Sequence, residues 1–171
     1  NDLLVVRGEI CVDNDVFTKM NIENKYSNPR NYASGSLLQK DPNITKQRCL
    51  RFIAYEIINK VDTTTHFNNL YLLSNYFDIV KFEVILSNTI NRNEYSIESF
   101  YSETLNVREK LIYSIDGIVV KVFILKNREE LGTTLTYPEW AIAWKFPSKT
   151  AITKINDIKL SVGRHGVITP I

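Results

Sequence analysis

The order of apolar and polar residues along this chain changes period several times, and each change marks an expected element. Residues 3–12 (LLVVRGEICV) form a β-branched run that predicts a buried strand, interrupted by the polar triplet Arg7-Gly8-Glu9. Asp13 or Asn14 stands where it can cap a short helix over Val16, Phe17, Met20 and Ile22. Residues 26–31 (YSNPRN) have the composition of a turn, and a second short helix is expected through Leu37 and Leu38, before an Asp41-Pro42 break. Residues 51–58 (RFIAYEII) alternate as a strand does. Residues 66–76 carry Phe67, Leu70 and Leu73 at helical spacing, with Phe77 just beyond. Further strands are expected at 81–86, 115–122 (IDGIVVKV), 140–146 (WAIAWKF) and 152–162. Helices are expected at 94–107 and 126–131, the second stopped by Gly132. The chain closes on Thr169-Pro170-Ile171, which reads as the start of another element, and the mixture as a whole is α+β.

Composition narrows this picture without deciding it. The chain has 171 residues, 44% hydrophobic and 23% charged, which fits one ordinary globular domain and argues against disorder. The 21 basic and 19 acidic residues leave a net +2, which excludes a histone-like binder. The charge is uneven, however. In residues 141–171 the bases Lys145, Lys149, Lys154, Lys159 and Arg164 face a single acid, Asp157, giving either a solvated basic face or part of an anion-binding groove. No run approaches the ~18 apolar residues of a membrane span. Cys11 and Cys49 cannot make a disulfide framework and read as buried hydrophobes in a reducing cytoplasm; with His66 and His165 they do not form zinc spacing. The chain shows no signal-peptide pattern and opens on Asn1, so it is expected to be a piece of a longer protein.

Three constellations could carry chemistry. Glu9 lies inside an apolar strand, where a carboxylate is costly unless paired, either to Arg7 or for function. In residues 115–122, Asp116 and Lys121 differ in parity and should face opposite sides unless a bulge at Gly117 resets the register. A lysine in such a β-branched run is either an edge gatekeeper or a charge on the floor of a phosphate pocket. In residues 141–147, Lys145 lies between Trp144 and Phe146, which is costly unless its ammonium meets an anion or reaches water. Tyr55 offers a stacking face for a base, or else a core side chain. Gly163-Arg164-His165-Gly166 reads as a turn carrying two bases, and no Walker-type or G-x-G-x-x-G loop occurs.

Taken in order, these segments resemble a known series. VRGE, NPRN-x-x-x-GSL, DP-x-IT, F-x-AY, IDG-x-V-x-KV, LG-x-T, WA-x-A-x-KFP and VGR-x-G-x-ITP, spread from Leu3 to Ile171, are similar to the motifs of bacterial-type NAD-dependent DNA ligases. NPRN-x-x-x-GSL points away from ATP-dependent ligases and RNA-capping enzymes. The resemblance implies an ATP-grasp-like nucleotidyltransferase core of antiparallel sheets with flanking helices, followed by the first strand of an OB-fold. Residues 1–150 would be part of the adenylation domain, and residues 151–171 a linker and the start of the OB-fold. By the same resemblance Glu9 would contact the ribose or organise a metal, Arg30 would bind the adenylate ribose or nick phosphates, and Tyr55 would stack on adenine. Asp116 would be the essential acid of its strand, and Lys121 and Lys145 would sit against the α-phosphate. Arg108 and Arg164 would contact adenylate or DNA phosphates.

The activity so implied is nick sealing in duplex DNA through lysyl-AMP and DNA-adenylate intermediates, with release of nicotinamide mononucleotide and AMP. NAD and Mg²⁺ are the implied cofactors, with zinc held only elsewhere in such a ligase. The expected partners are nicked duplex DNA and NAD or AMP, with no membrane; a monomer in the cytoplasm is expected. The nucleophile of this family is the lysine of K-x-D-G, upstream of VRGE, and K-x-D-G does not occur in these 171 residues, so the chain alone is expected to be inactive. Leu38 stands where the family usually has an arginine, Glu56 where it has a glycine, and His165 where it has a threonine. A second reading is a degenerate, non-catalytic nucleic-acid-binding remnant of such a ligase.

Overall fold

A computed structural model describes residues 3–22, 25–59, 62–85, 96–148 and 150–171. Strand β1 (Val6–Cys11) pairs antiparallel with β2 (Arg51–Ile57), and the two-residue strand β3 (Asp78–Ile79) runs parallel to β2 on its other side. Between β1 and β2 the chain makes three short helices, α1 (Asn14–Met20), α2 (Pro29–Leu37) and α3 (Pro42–Gln47). Helix α4 (His66–Ser74) covers β2, burying Leu70 and Leu73 against Ala54 and Ile57. That cluster is the apolar centre: Leu70 and Leu73 share one face of α4, and Ala54 and Ile57, three apart, share one face of β2 because the register shifts by one residue between them.

A second, two-stranded ladder comes after helix α5 (Ile97–Val107). Strand β4 (Gly117–Lys121) pairs antiparallel with β5 (Ala141–Lys145), and helix α6 (Leu125–Leu131) lies between them in sequence. Gly132 ends α6 with a φ of 76°, a left-handed conformation that a glycine adopts without strain. The two sheets are joined by backbone, since the His66 amide donates to the Phe123 carbonyl at 2.9 Å and the Leu125 amide to the Thr64 carbonyl at 3.1 Å. Strands β6 (Leu160–Val162) and β7 (Ile168–Pro170) form a hairpin, and every residue of 150–171 is exposed.

Several expectations need correction. Residues 26–31 are not all turn: the Asn28 side chain accepts from the Asn31 amide at 2.8 Å and Pro29 takes the first helical position, so this segment starts α2. Asp41-Pro42 likewise opens α3 rather than breaking the chain, with the Asp41 carboxylate accepting from the Asn43 amide at 2.9 Å. Asp13 stands at the cap position of α1 but does not cap it with its side chain, because Arg51 takes both carboxylate oxygens, at 2.9 and 2.7 Å. Residues 81–85 are not a strand, since pairing with β2 ends after the Val80 amide reaches the Ala54 carbonyl; Leu86, Glu94 and Tyr95 lie outside the described residues. Of the strand expected at 152–162, only Leu160–Val162 form a strand, with Lys159 hydrogen-bonded to Ile171 at its end, because β7 offers no partner before them. Cys49 is exposed, with a φ of 52°, because it sits in the tight turn that returns α3 to β2.

Candidate functional site

The β4–β5 register decides what the second ladder presents. Gly117 lies opposite Lys145 and Lys121 opposite Ala141, with no register shift, so both lysines stand on one face with Val119, Ala141 and Ala143 between them. Four residues of strand separate their backbones, about 13 Å. Small side chains between two cations leave an open floor. Asp116, just before β4, has the opposite parity to Lys121, and no bulge resets it, as its position in the sequence predicts. Its carboxylate still meets the Lys145 ammonium, at 2.7 Å. A Cβ at Gly117 would overlap the Trp144 carbonyl oxygen and crowd the Lys145 Cα. Gly117→Ala is therefore expected to lower stability by about 1–3 kcal/mol, read as a lower denaturant midpoint.

Asp116 and Lys145 are an exposed pair, their side chains 68% and 66% accessible. Such a pair adds little stability, so its geometry is available to a ligand. The Lys145 ammonium holds the Asp116 carboxyl below the usual carboxylate range, and the Arg30 charge adds to this. Arg30 is exposed on the first turn of α2, so the structure brings it into the electrostatic reach of Asp116. Trp144 stacks on Tyr101 of α5, with centroids 4.3 Å apart and an interplanar angle of 21°. Phe146 is buried, under the Arg108 guanidinium at 5.6 Å. Arg108 also donates to the Pro147 carbonyl, placing it at the Lys145 end of β5.

Lys121 stands at the other end and is not an edge gatekeeper, since its side chain is only 17% accessible. Its ammonium lies 5.0 Å from the Tyr55 ring centroid, 5.8 Å from that of Trp140 and 3.8 Å from a Glu56 carboxylate oxygen. Burial pushes the Lys121 ammonium below the usual lysine range, and Glu56 opposes that shift. Tyr55 is partly buried and owes its place to a bulge. The β1–β2 register pairs Arg7 with Glu56 and Gly8 with Ala54, leaving Tyr55 without a partner. Gly8 allows this close approach, because a Cβ there would overlap the Phe52 ring and the Ile53 carbonyl oxygen. Burial raises the Tyr55 hydroxyl above the usual tyrosine range; the Arg7 charge opposes this and the Glu9 and Glu56 charges add to it. Glu9 itself is exposed, and Arg7 pairs with Glu56 at 3.4 Å, so the expected Arg7–Glu9 pair gives way to one across the sheet. Arg164 is exposed in the β6–β7 turn.

The sequence reading missed a charge cluster around Glu56. This buried carboxylate lies 3.4 Å from Arg7, 3.8 Å from Lys121 and 3.6 Å from Arg128. Arg128, on α6, has a side chain only 7% accessible and stacks over Trp140 at 4.4 Å. Its Nη2 has no hydrogen-bond partner among the described residues. The signal was available: a glutamate inside an apolar strand and an arginine at the centre of a short helix. His66 lies beside Arg128 at 3.5 Å, and burial with the Arg128 and Lys121 charges pushes its imidazole down from 6.5 to about 3. Between those values the unfolded chain binds the extra proton, so this contribution is complete above pH 6.5 and is lost as the pH falls. Roughly 1–2 kcal/mol is expected to go between pH 6.5 and 5, allowing for the ring's partial exposure. A falling thermal midpoint, flattened by His66→Gln, would show it.

The domain is thus α+β, with two lysines on one face of its second ladder, a tyrosine ring over one end and a carboxylate at the other. Residues 1–149 match the family described as the NAD-dependent DNA ligase adenylation domain, and the chain belongs to that family. It is 42% identical over 171 residues to the DNA ligase of Ehrlichia chaffeensis, covering 99% of this chain and 25% of that protein. It is 43% identical over 171 residues to the DNA ligase of Neorickettsia sennetsu, with 99% and 24% covered. Against the DNA ligase of Lawsonia intracellularis the figures are 38% over 176 residues, 99% and 26%. The chain thus spans about a quarter of the length of the curated relatives it matches. Among the described residues no helix is long and apolar enough to cross a membrane.

Proposed function

We propose that this chain is the phosphate-facing part of an adenylation domain whose full-length protein joins nicks in duplex DNA at the expense of NAD. Residues 1–150 belong to the nucleotidyltransferase core, ATP-grasp-like in plan, and residues 151–171 are a linker and the start of an OB-fold. The observation that carries the reading is the shared face of Lys121 and Lys145, with Tyr55 over one end and Asp116 at the other. In this reading the adenine of AMP lies against Tyr55 and its α-phosphate between the two ammonium groups. Negative charge grows on that phosphate during transfer, and fixed cations favour the transition state over the ground state. Glu9 and Arg30 serve the ribose, Arg108 an adenylate or DNA phosphate, and Arg164 the DNA backbone.

Mg²⁺ suits this chemistry through its preference for phosphate oxygens and water. Among the described residues no group of three or more His, Cys, Asp or Glu side chains could hold a metal. The ion would arrive on the nucleotide, with Glu9 helping to organise it. It would neutralise phosphate charge there. The protein would act as a monomer in the cytoplasm.

The test is incubation of the full-length protein with NAD labelled in its adenylate half, followed by nicked duplex DNA. The expected result is a covalent protein–AMP adduct that is discharged as the nick is sealed. Labelling by ATP but not NAD, or DNA binding with no adduct, would overturn the reading.

A further inference from the structure

We propose that Glu56 is a positioning residue for Lys121: its carboxylate, shared with Arg7 and Arg128, holds the Lys121 ammonium charged and beneath the Tyr55 ring. The inference rests on the reading of Lys121 as an α-phosphate contact. Lys121 is four-fifths buried on the inner end of β4, and a buried ammonium with no anion nearby tends to lose its proton or leave its position. The charged and titratable groups around it come from four elements: Arg7 from β1, Tyr55 and Glu56 from β2, His66 from α4 and Arg128 from α6. Three of these neighbours matter at ordinary pH, namely two guanidinium groups that repel the ammonium and one carboxylate that attracts it. His66 is neutral there. Tyr55 and Trp140 offer ring faces, which favour a cation without neutralising it.

Glu56 is thus the one carboxylate paired with Lys121 among the described residues. Its backbone explains why it can serve. It comes directly after the bulged Tyr55 and is paired to Arg7, so the bulge that aims the ring over Lys121 also turns the next side chain toward the same ammonium. The cluster still holds three cations to one anion, and Arg128 keeps an unpartnered buried nitrogen. A phosphate arriving beside Lys121 would supply the missing negative charge, so Glu56 readies the ammonium without saturating the site.

The experiment measures AMP affinity against pH, from 7.5 to 10.5, by calorimetry on the full-length protein. AMP is fully ionised across this range, so a loss of affinity on the alkaline side reports the protein. The wild type should lose affinity as Lys121 deprotonates, below the usual lysine range. Lys121→Arg should keep its affinity to higher pH than the wild type, because a guanidinium does not titrate there. Glu56→Gln should move the wild-type limb down by about one pH unit or more. Since Glu56→Gln can also weaken the fold, Arg128→Gln and the double variant Glu56→Gln/Arg128→Gln repeat the comparison with one cation fewer, and the double should again lie lower than Arg128→Gln alone. Coincident limbs in either comparison, with AMP bound, would overturn the role of Glu56 while leaving the ligase reading intact. No AMP binding by the wild type at any pH would instead overturn the phosphate site and the inference with it.

Discussion

Lys121→Met in the full-length protein is expected to slow AMP transfer by about 10²–10³-fold, the size of effect seen when one preorganised donor to a growing anion is removed. Methionine keeps the unbranched stem that lies beneath Tyr55 and beside Trp140, so the change isolates charge from packing. The fold should survive, because Glu56 keeps Arg7 and Arg128 as partners and the cluster loses one surplus cation. Lys145 is the natural comparison. Its side chain is two-thirds exposed and its ammonium is tied to Asp116, so water screens it and partly replaces it, and Lys145→Met should cost less. Lys126→Met is the control. That side chain is 82% accessible on α6, and its pair with Glu130 lies on the solvent face, so the rate should hold within about twofold. Single-turnover transfer of labelled AMP to nicked DNA measures all three. A Lys121→Met rate within tenfold of the wild type would remove Lys121 from the chemistry.

How far the sequence led depended on how local each cause was. The strand over Arg51–Ile57 and the helix over His66–Ser74 follow from the spacing of their own apolar residues, and both lie where that spacing puts them. The opposite parity of Asp116 and Lys121 is likewise a local property of an unbulged strand. The starts of α2 and α3 were misread because Asn28-Pro29 and Asp41-Pro42 serve equally as turns and as helix N-termini. The residues after each proline decide between the two. The long strand expected at 152–162 failed for a different reason. A strand needs a partner, and partner length is not written in the strand itself. The same holds for Glu9 and Glu56. Both are glutamates in apolar strands, where a carboxylate is costly to bury unless it is paired. The register puts both on one face of the sheet, Glu9 opposite Ile53 and Glu56 opposite Arg7, and Glu56 is buried because Lys121 and Arg128 pack over its end of that face. Which of the two is buried was not legible without the elements that cover the sheet.

That burial sets the second large effect, on stability. Glu56→Gln is expected to cost about 3–5 kcal/mol, because it leaves Lys121 and Arg128 inside the protein without a counter-ion. Arg128→Gln should cost much less. Arg128 already carries an unpartnered buried nitrogen, Glu56 keeps two cations without it, and the shorter side chain still fills part of the space over Trp140. The double variant should therefore be more stable than Glu56→Gln alone by at least about 1 kcal/mol, although it differs from the wild type at more positions. This inversion separates electrostatics from packing. Were the cluster held mainly by van der Waals contact, the two losses would add, and the double variant would be the least stable of the three. Urea titrations of the wild type and three variants at pH 7.5, repeated in about 1 M salt, give the cycle and its screening. Lys121 and Arg128 are mostly buried, so the coupling between positions 56 and 128 should persist at high salt. A coupling that vanished there would place the cluster in water and not in the protein.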